Sequence, residues 1–418
     1  MFSKLIEKLN NSKYSKYFFV TPLVYAIGDA CEQIVITSLK IKNKKIIILF
    51  PFFFKKLLNY QICNKYLFEN LIINNSNNSV KSLRFFLNML INLEFIIKRS
   101  YFILFSKLLK FKKEKIFEFP SIGIHQIYKR DLIKKNFDNI NEINISKCNI
   151  SLSEEKKTTC RAILYKENIF GKKIVCLHVR DGGYKKDHER KSYRNSNILN
   201  YTELINYLIK KNYFVIRMGD KSSIKYNFSN NFFLDYAHSN INSRLMDIFL
   251  ISECEFFVGT QSGILDLAYM FNKPVLTTNM CEMYCSYPRK INDRGVFKKI
   301  KIKKTGQSLS LKDYIKMDYS KHNPEIEQKD FFYVENTPKE LYESIVEFEN
   351  LYCSAKFSLS HSQNEINKLI KDTFRDKYYS NLLKTDKIFD KMENGKIALW
   401  IKSFKGSLCE SNLKESAK

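Results

Sequence analysis

Residues that can bind phosphate or move a proton follow short apolar runs in the middle of this sequence. Arg180 and Asp181 come directly after the run KIVCLHV, and Arg217 and Asp220 lie at the end of the segment YFVIRMGD. A guanidinium group recognises phosphate through paired N–H donors, and a carboxylate can accept a proton or bind a hydroxyl. The alternatives are surface ion pairs for the arginines and turn formation for the aspartates. This pattern indicates recognition of a phosphorylated ligand.

The clearest phosphate-binding pattern lies in the segment FFVGTQSGILDLAYMFNKPVL, residues 256–276. It predicts a strand that continues through a short polar loop into a helix, whose N-terminus can receive a phosphate or diphosphate. Because the loop has neither a P-loop ending nor a GxGxxG pattern, a plain strand–helix turn capped by Ser262 is equally compatible. The expected diphosphate ligands are Arg180, Arg217, Gly259, Thr260, Gln261, Ser262 and Gly263.

Two histidines lie in or after predicted strands, and their positions favour different roles. His238 lies in a loop after a strand, next to Ser239, which favours a base or a phosphate or sugar ligand. His178 lies inside a strand, where a hydrogen-bonded structural histidine is the more common case. The residues expected to bind substrate are His178, Arg194, Asp220, Ser239 and Asn279.

Alternating strands and helices must position these residues. The pattern predicts strands over 173–179, 213–218, 232–236, 255–258 and 274–278, with helices over 201–211, 243–252 and 262–271. Such alternation predicts a doubly wound parallel sheet, in which ligands bind beyond the carboxyl ends of the strands. A shorter strand–helix–strand pattern covers residues 17–51. We therefore expect the candidate residues to gather at one edge of a sheet.

The chain is strongly basic. It has 418 residues, with 70 Lys and Arg against 43 Asp and Glu, and a formal charge of +27. Such a charge indicates an anionic partner: nucleic acid, anionic lipid or a phosphorylated substrate. Residues 289–304 hold eight basic side chains and only Asp293 as an acid, which predicts a basic patch. No interleaved aromatic RNA-binding motif or helix-turn-helix is evident, so nucleic acid is not expected as a partner.

The cysteines and the apolar segments of the sequence indicate where in the cell the protein is located. None of the ten cysteines forms a CxxC pair, which argues against a structural zinc site and favours the reducing cytoplasm. The first residues lack a secretory-signal pattern. Residues 85–105 are apolar but include Asn88, Glu94 and Lys98, and the basic run Lys107–Lys115 follows. We expect a core helix there, with attachment to an anionic membrane surface as the alternative.

Six segments in order resemble a family of bacterial glycosyltransferases encoded among surface-polysaccharide genes. They are LHVRDGGY, SYRNSNILNY, YFVIRMGD, DYAHS, SRLMDIFLISECEFFVGTQSG and NKPVLTTN, with weaker similarity in VYAIGDACEQI. The resemblance covers roughly residues 170–350 and implies an α/β fold of two Rossmann-like doubly wound domains, a glycosyltransferase-B-like arrangement. The expected boundaries are 1–165 for the acceptor-side domain, 166–350 for the donor-binding domain and 351–418 for a helical tail.

The same resemblance implies an activity: transfer of a sugar from a nucleotide-sugar donor to a lipid-linked surface polysaccharide. The loop 259–263 would lie near the donor diphosphate, and His238 or Asp181 would orient or deprotonate the acceptor hydroxyl. No cofactor is expected, since the nucleotide-sugar is a co-substrate, and no metal is expected, since the chain has no DxD motif. We expect a cytoplasmic enzyme in peripheral contact with the anionic inner membrane. A non-catalytic nucleic-acid-binding protein and a degenerate transferase scaffold are the alternatives.

Overall fold

The computed structural model describes residues 2–50, 62–74, 81–108, 122–123, 144–183, 192–281, 287–316, 330–355, 357–373 and 405–415. The first part of the chain forms a strand–helix–strand unit, a separate antiparallel pair of strands and several packed helices. Its elements are α1 (Phe2–Asn11), β1 (Tyr17–Val20), α2 (Ile27–Lys40), β2 (Lys45–Ile48), α3 (Lys65–Glu69), β3 (Leu71–Ile73), α4 (Lys81–Leu108), β4 (Ile150–Leu152) and α5 (Glu154–Lys166).

The middle of the chain alternates strands with helices, as the sequence predicts. Its elements are β5 (Lys173–His178), α6 (Thr202–Lys210), β6 (Tyr213–Met218), β7 (Phe233–Asp235), α7 (Arg244–Glu253), β8 (Phe256–Thr260), α8 (Gly263–Met270), β9 (Val275–Met280) and β10 (Arg294–Phe297). The remaining elements are β11 (Lys299–Ile302), β12 (Ser308–Leu309), α9 (Leu311–Lys316), β13 (Phe331–Val334), α10 (Pro338–Ser354), α11 (His361–Thr373), β14 (Ser407–Leu408) and α12 (Glu410–Glu415).

The central sheet has seven parallel strands in the order β14-β10-β9-β8-β5-β6-β7. The chain starts this sheet at β5, adds β6 and β7 on one side, and then crosses to add β8, β9 and β10 on the other. This confirms the doubly wound sheet predicted from the sequence. The direction of winding reverses between β5 and β8, and in such sheets that reversal marks the ligand-binding crevice.

The strands of this sheet are apolar because helices cover both of their faces. All six residues of β6 are buried, and so are all five of β8. Parallel strands covered on both faces read as continuous apolar runs, which is why the sequence reveals them. The predicted helices begin where expected: the Ser243 side chain accepts a hydrogen bond from the Met246 N–H at the start of α7.

The first part of the chain matches its predicted strand–helix–strand pattern. Strands β1 and β2 pair in parallel, with Tyr17 opposite Lys45 and Val20 opposite Ile48. Strands β3 and β4 form an antiparallel pair. The described residues therefore show one βαβ unit here, and a complete Rossmann-like first domain stays a prediction. One continuous apolar core runs from this part into the central sheet, joining residues such as Val20, Ile34 and Leu267.

The described part of the C-terminal segment contains both helices and a strand. Helix α11 agrees with the predicted tail, but Ser407 and Leu408 form strand β14, which pairs in parallel with β10 at the edge of the central sheet. At Ser407 and Leu408 the structure therefore departs from the predicted helical tail. A two-residue strand carries too little periodicity to be recognised in a sequence, because its pairing comes from the neighbouring edge.

Candidate active site

The site lies where β5 and β8 end side by side, at the reversal of winding. His178 pairs with Gly259 in the strand register. Beyond the strands, the Arg180 backbone N–H donates to the Thr260 hydroxyl at 3.0 Å, and the Ser262 hydroxyl lies 3.2 Å from His178 Nδ1. The structure thus brings together five predicted site residues, in two groups that are about eighty positions apart in the chain.

Helices α2 and α8 begin in direct contact beside these residues. A Cβ built on Gly263 would lie 2.9 Å from the Gly28 backbone nitrogen, and one built on Gly28 would lie 3.0 Å from the Gly263 Cα. Only glycine at both positions permits this approach. Gly28, Ser262 and Gly263 are all half-buried, so the two helix N-termini reach a partly open surface. Two N-terminal helix ends at one point favour an anionic ligand.

Ser262 occupies the N-cap position of α8 without capping it. Its backbone is extended, but its side chain makes no hydrogen bond to the first turn of the helix. The hydroxyl contacts His178 instead. Burial lowers the pKa of His178 to about 4, so the imidazole is neutral at physiological pH. A neutral histidine here orients the Ser262 hydroxyl and adds no positive charge to the site.

Arg180 and Arg194 border the same loop. The Arg180 guanidinium contacts the Asn195 side-chain oxygen, and Arg194 donates to the Gln261 carbonyl at 3.1 Å. The Gln261 side chain is buried and accepts from the Cys281 N–H at 2.6 Å. The arginines therefore flank the loop, whereas the Gln261 amide fixes the end of β9. Direct contact between Gln261 and a diphosphate stays a prediction.

A buried lysine that the sequence analysis placed only in a basic patch supports this arrangement. Lys298 is 3% exposed and donates to the carbonyls of Tyr193 at 2.9 Å and Asn195 at 2.7 Å. Burial lowers the pKa of Lys298. It forms no ion pair with any carboxylate of the described ranges. Lys298 thus fixes the segment that contains Arg194 and Asn195, which lies next to the loop 259–263.

The predicted basic patch is wrong for its first half. Arg289 pairs with Glu32 at 2.9 Å and with Asp266 at 3.2 Å, and each of the first four cations of residues 289–304 is about 3% exposed. Lys290 pairs with Asp293, and Arg294 with Glu347. The sequence shows the local charge of this segment, but the acids that neutralise Arg289 and Arg294 come from distant parts of the chain.

Arg217 lies at the end of β6 with its guanidinium already engaged. It is 1% exposed, donates to Asp235 at 3.1 and 3.2 Å, and donates to the Ile224 carbonyl at 2.6 Å. A second nitrogen lies 3.9 Å from Asp181. In this arrangement Arg217 holds the loop that follows β6 against strand β7. Its contact with a diphosphate stays a prediction.

The two predicted catalytic residues each contact that loop. Asp181 accepts from the Ile224 N–H at 2.7 Å and from the Gly183 N–H at 3.1 Å. His238 is exposed, and its Nε2 lies 2.8 Å from the Ser223 carbonyl. The adjacent predicted residues have local partners: Asp220 accepts from the Ser222 N–H at 2.8 Å, and the Ser239 hydroxyl donates to the Tyr236 carbonyl at 3.0 Å. Asp181 and His238 therefore contact the N–H and the carbonyl of the same peptide group, between Ser223 and Ile224, although 57 positions separate them in the chain.

Asn279 lies in the interior of the molecule, near the end of β9. It is 1% exposed and left-handed, with φ of 50°. It exchanges two hydrogen bonds of 2.7 Å with Asn336, and its amide donates to the Tyr201 hydroxyl at 2.9 Å. These contacts join β9 to the segment before α10. Substrate binding by Asn279 stays a prediction.

A cleft of about 570 Å³ opens next to Asp181 and Arg217. This volume lies within the range of small-molecule sites. Its wall includes Asn195, Tyr226 and Glu335. Glu335 accepts from the Asn197 N–H at 2.8 Å and follows β13 directly. The sequence analysis missed Glu335, because β13 belongs to a separate antiparallel sheet and not to the parallel sheet at whose strand ends ligands are expected. Among the described residues, no group of three His, Cys, Asp or Glu side chains could hold a metal ion.

The chain matches no protein-family model and no curated protein. Among solved structures it is similar to the dodecameric iron-containing heptosyltransferase TibC in complex with ADP-D-beta-D-heptose, at 20% identity and a TM-score of 0.20. That match covers 28% of this chain and spans 30% of the length of TibC. It is also similar to the E. coli ADP-heptose LPS heptosyltransferase II, at 14% identity and a TM-score of 0.33, over 62% of this chain and 83% of the other. At such scores the two matches do not establish a shared fold or activity.

Proposed function

We propose that this protein is a glycosyltransferase that moves a sugar from a nucleotide-sugar donor to a surface-polysaccharide acceptor linked to lipid. The observation that carries the proposal is the meeting of two helix N-termini, at Gly28 and Gly263, beside Arg180 and the Ser262 hydroxyl. The donor and acceptor classes follow from the ordered sequence motifs. A diphosphate is the ligand that this combination of dipoles, hydroxyl and guanidinium suits best.

In the proposed reaction, the acceptor oxygen bonds to the anomeric carbon while the bond from that carbon to the diphosphate oxygen breaks. The acceptor proton passes to a base, and the diphosphate leaves with the negative charge. Arg180 and the first turns of α2 and α8 stabilise this charge where it develops. No cofactor or metal is required, because fixed positive groups of the chain supply the stabilisation.

Asp181 is the better placed of the two candidate bases. It lines the cleft, whereas His238 is turned to the Ser223 carbonyl. The cleft adjoins the proposed diphosphate position through Asn195, which lines the cleft and contacts the Arg180 guanidinium. A sugar attached to a diphosphate at the helix ends would therefore extend into the cleft, within reach of the carboxylates of Asp181 and Glu335.

A nucleotide screen tests the proposal. Purified protein is heated with UDP, GDP, CDP, ADP, dTDP or CMP, since a ligand that binds only the folded state raises the unfolding temperature. We expect one nucleoside diphosphate to stabilise the wild type and not the Arg180→Ala variant. Arg161→Ala is the matched control, because Arg161 lies on α5 and forms surface ion pairs with Glu154 of the same helix and with Glu253 at the end of α7.

Transfer is then measured with the sugar form of that nucleotide and lipid-linked glycan, with and without EDTA. We expect turnover that EDTA leaves unchanged and that Asp181→Asn abolishes. Stabilisation by RNA or DNA with no response to any nucleotide would overturn the transferase proposal. Nucleotide binding without turnover would identify the degenerate scaffold instead.

A further inference from the structure

Helix α4 presents an apolar face to solvent. Phe85, Met89, Leu93, Ile97 and Tyr101 recur every four residues, and their exposed fractions are 57%, 39%, 48%, 58% and 62%. Phe86, next to this row, is 51% exposed. At a rise of about 1.5 Å per residue, the row extends over about 24 Å. We call these six residues the outer face of α4.

The opposite side of α4 is packed into the molecule and carries polar groups. Leu87, Ile91 and Phe95 join an apolar cluster with residues of β1 and β2. Asn88 accepts from the Phe50 N–H at 3.0 Å, and Asn92 donates to the Phe50 carbonyl at 3.3 Å. An ordinary surface helix buries its apolar side and exposes its polar side. Helix α4 buries its asparagines and exposes large apolar residues, so the outer face is unlike an ordinary solvent-facing surface.

The adjacent helix α1 has a similar surface. The Ser3 N–H and hydroxyl donate to the Glu94 carboxylate at 2.8 and 2.9 Å, which fixes α1 against α4. Helix α1 exposes Leu5 and Leu9, at 57% and 40%, next to the exposed Lys4 and Lys8. Apolar side chains with lysines beside them are typical of helices that lie in a membrane interface.

We propose that the outer face of α4 binds the surface of an anionic lipid bilayer. Charge selects this occupant over a second copy of the chain. Each copy carries a formal charge of +27, so two copies repel each other, while an anionic leaflet attracts the protein. The exposed lysines of the adjacent helix α1, Lys4 and Lys8, supply positive charge beside this apolar surface. The helix lies on the bilayer, since none of the described helices has the length and apolarity needed to cross one.

Vesicle sedimentation of the full chain tests this proposal without any sugar nucleotide, so its outcome is independent of the transferase assay. The probes are vesicles of phosphatidylcholine alone and of phosphatidylcholine mixed with phosphatidylglycerol. We expect binding to the mixed vesicles only, and weaker binding at high salt. The variant L93E/I97E should bind at least about ten-fold more weakly, because each charge enters the apolar interface.

The matched control is Y165E/F170E, which places charges on two exposed aromatic residues: Tyr165 in the last turn of α5, 73% exposed, and Phe170 in the segment after that helix, 54% exposed. It should bind vesicles as the wild type does. Both variants change exposed side chains, and circular dichroism checks that both fold. Unchanged vesicle binding by L93E/I97E would overturn the proposal. So would equal binding to neutral vesicles, or a wild-type dimer in light scattering that L93E/I97E converts to a monomer.

Discussion

Gly28 and Gly263 are in van der Waals contact at the first turns of α2 and α8, although 235 positions separate them in the chain. A side chain on either residue would occupy the space of the other helix. This contact places the first βαβ unit against the loop 259–263 of the central sheet, the loop proposed to bind the diphosphate. It also brings the segment VYAIGDACEQI, which contains Gly28, next to that loop.

The substitution Gly263→Ala should separate these two helix ends. The added methyl group would meet Ile27 Cγ2 at 2.7 Å and the Gly28 nitrogen at 2.9 Å, and overpacking of this kind costs about 1–3 kcal/mol. We expect lower stability in urea and loss of nucleotide binding. Gly171→Ala is the control: its Cβ meets nothing within 4 Å, but its φ of 81° strains alanine. That variant should lose stability and keep nucleotide binding.

The substitution Ser262→Ala should change ligand binding more than stability. The Ser262 hydroxyl contacts His178 and does not cap α8. We expect nucleotide affinity to fall about two- to ten-fold, the effect of one hydrogen bond, with a small change in unfolding free energy. The control Ser243→Ala removes a true N-cap and should cost about 1 kcal/mol of stability without affecting nucleotide binding. A loss of stability in Ser262→Ala with unchanged nucleotide affinity would show that Ser262 is only a structural residue.

Lys298→Met should loosen the segment 193–195. The substitution leaves the buried carbonyls of Tyr193 and Asn195 without their donor, at a cost of about 1–3 kcal/mol. We expect weaker nucleotide binding in calorimetry, with partial recovery in Lys298→Arg. The comparison is Lys290→Met, which leaves the buried Asp293 without its cation and should destabilise the fold by about 3–5 kcal/mol. The fraction of Lys290→Met that remains folded should bind nucleotide with the affinity of the wild type. Equal affinity of Lys298→Met and wild type would remove Lys298 from the site.

His178 should make stability depend on pH below neutrality. Its pKa in the folded state is about 4, below the ordinary value of 6.5, so the unfolded state binds more protons between these pH values. Stability from this group is therefore complete above about pH 6.5 and decreases as the pH falls towards 4, by up to about 3 kcal/mol. The buried Asp247 has a pKa raised to about 6 by burial and acts in the opposite direction over part of this range.

Because His178 and Asp247 act in opposite directions, the test compares the stability of the wild type with that of a variant that lacks His178. Urea unfolding is followed from pH 4 to 8 for the wild type and for His178→Gln, which removes one titrating group and keeps Asp247. We expect the advantage of the wild type over the variant to shrink as the pH is lowered from about 6.5 to 4. A constant difference across this range would show that the pKa of His178 is not depressed in the folded state.

The sequence by itself determined five of the seven strands of the central sheet and the edge at which the candidate residues gather. Strands covered on both faces must be apolar along their length, so β5, β6, β8 and β9 are visible as continuous runs. Polar residues directly after them then fall at the carboxyl edge, which is how Arg180, Asp181 and the loop 259–263 were found. Local sequence carries this information because strand burial and strand ends are local properties.

Only the tertiary structure decided which of these groups reach a ligand. Arg217 is engaged by Asp235, and Arg289 is neutralised by Glu32 and Asp266, so neither presents its full charge to the surface. The burial of Lys298 and the apolar outer face of α4 depend on neighbours far away in the chain. The sequence specifies the type of each side chain. The partners and the exposure of that side chain depend on contacts between distant segments, which no local pattern encodes.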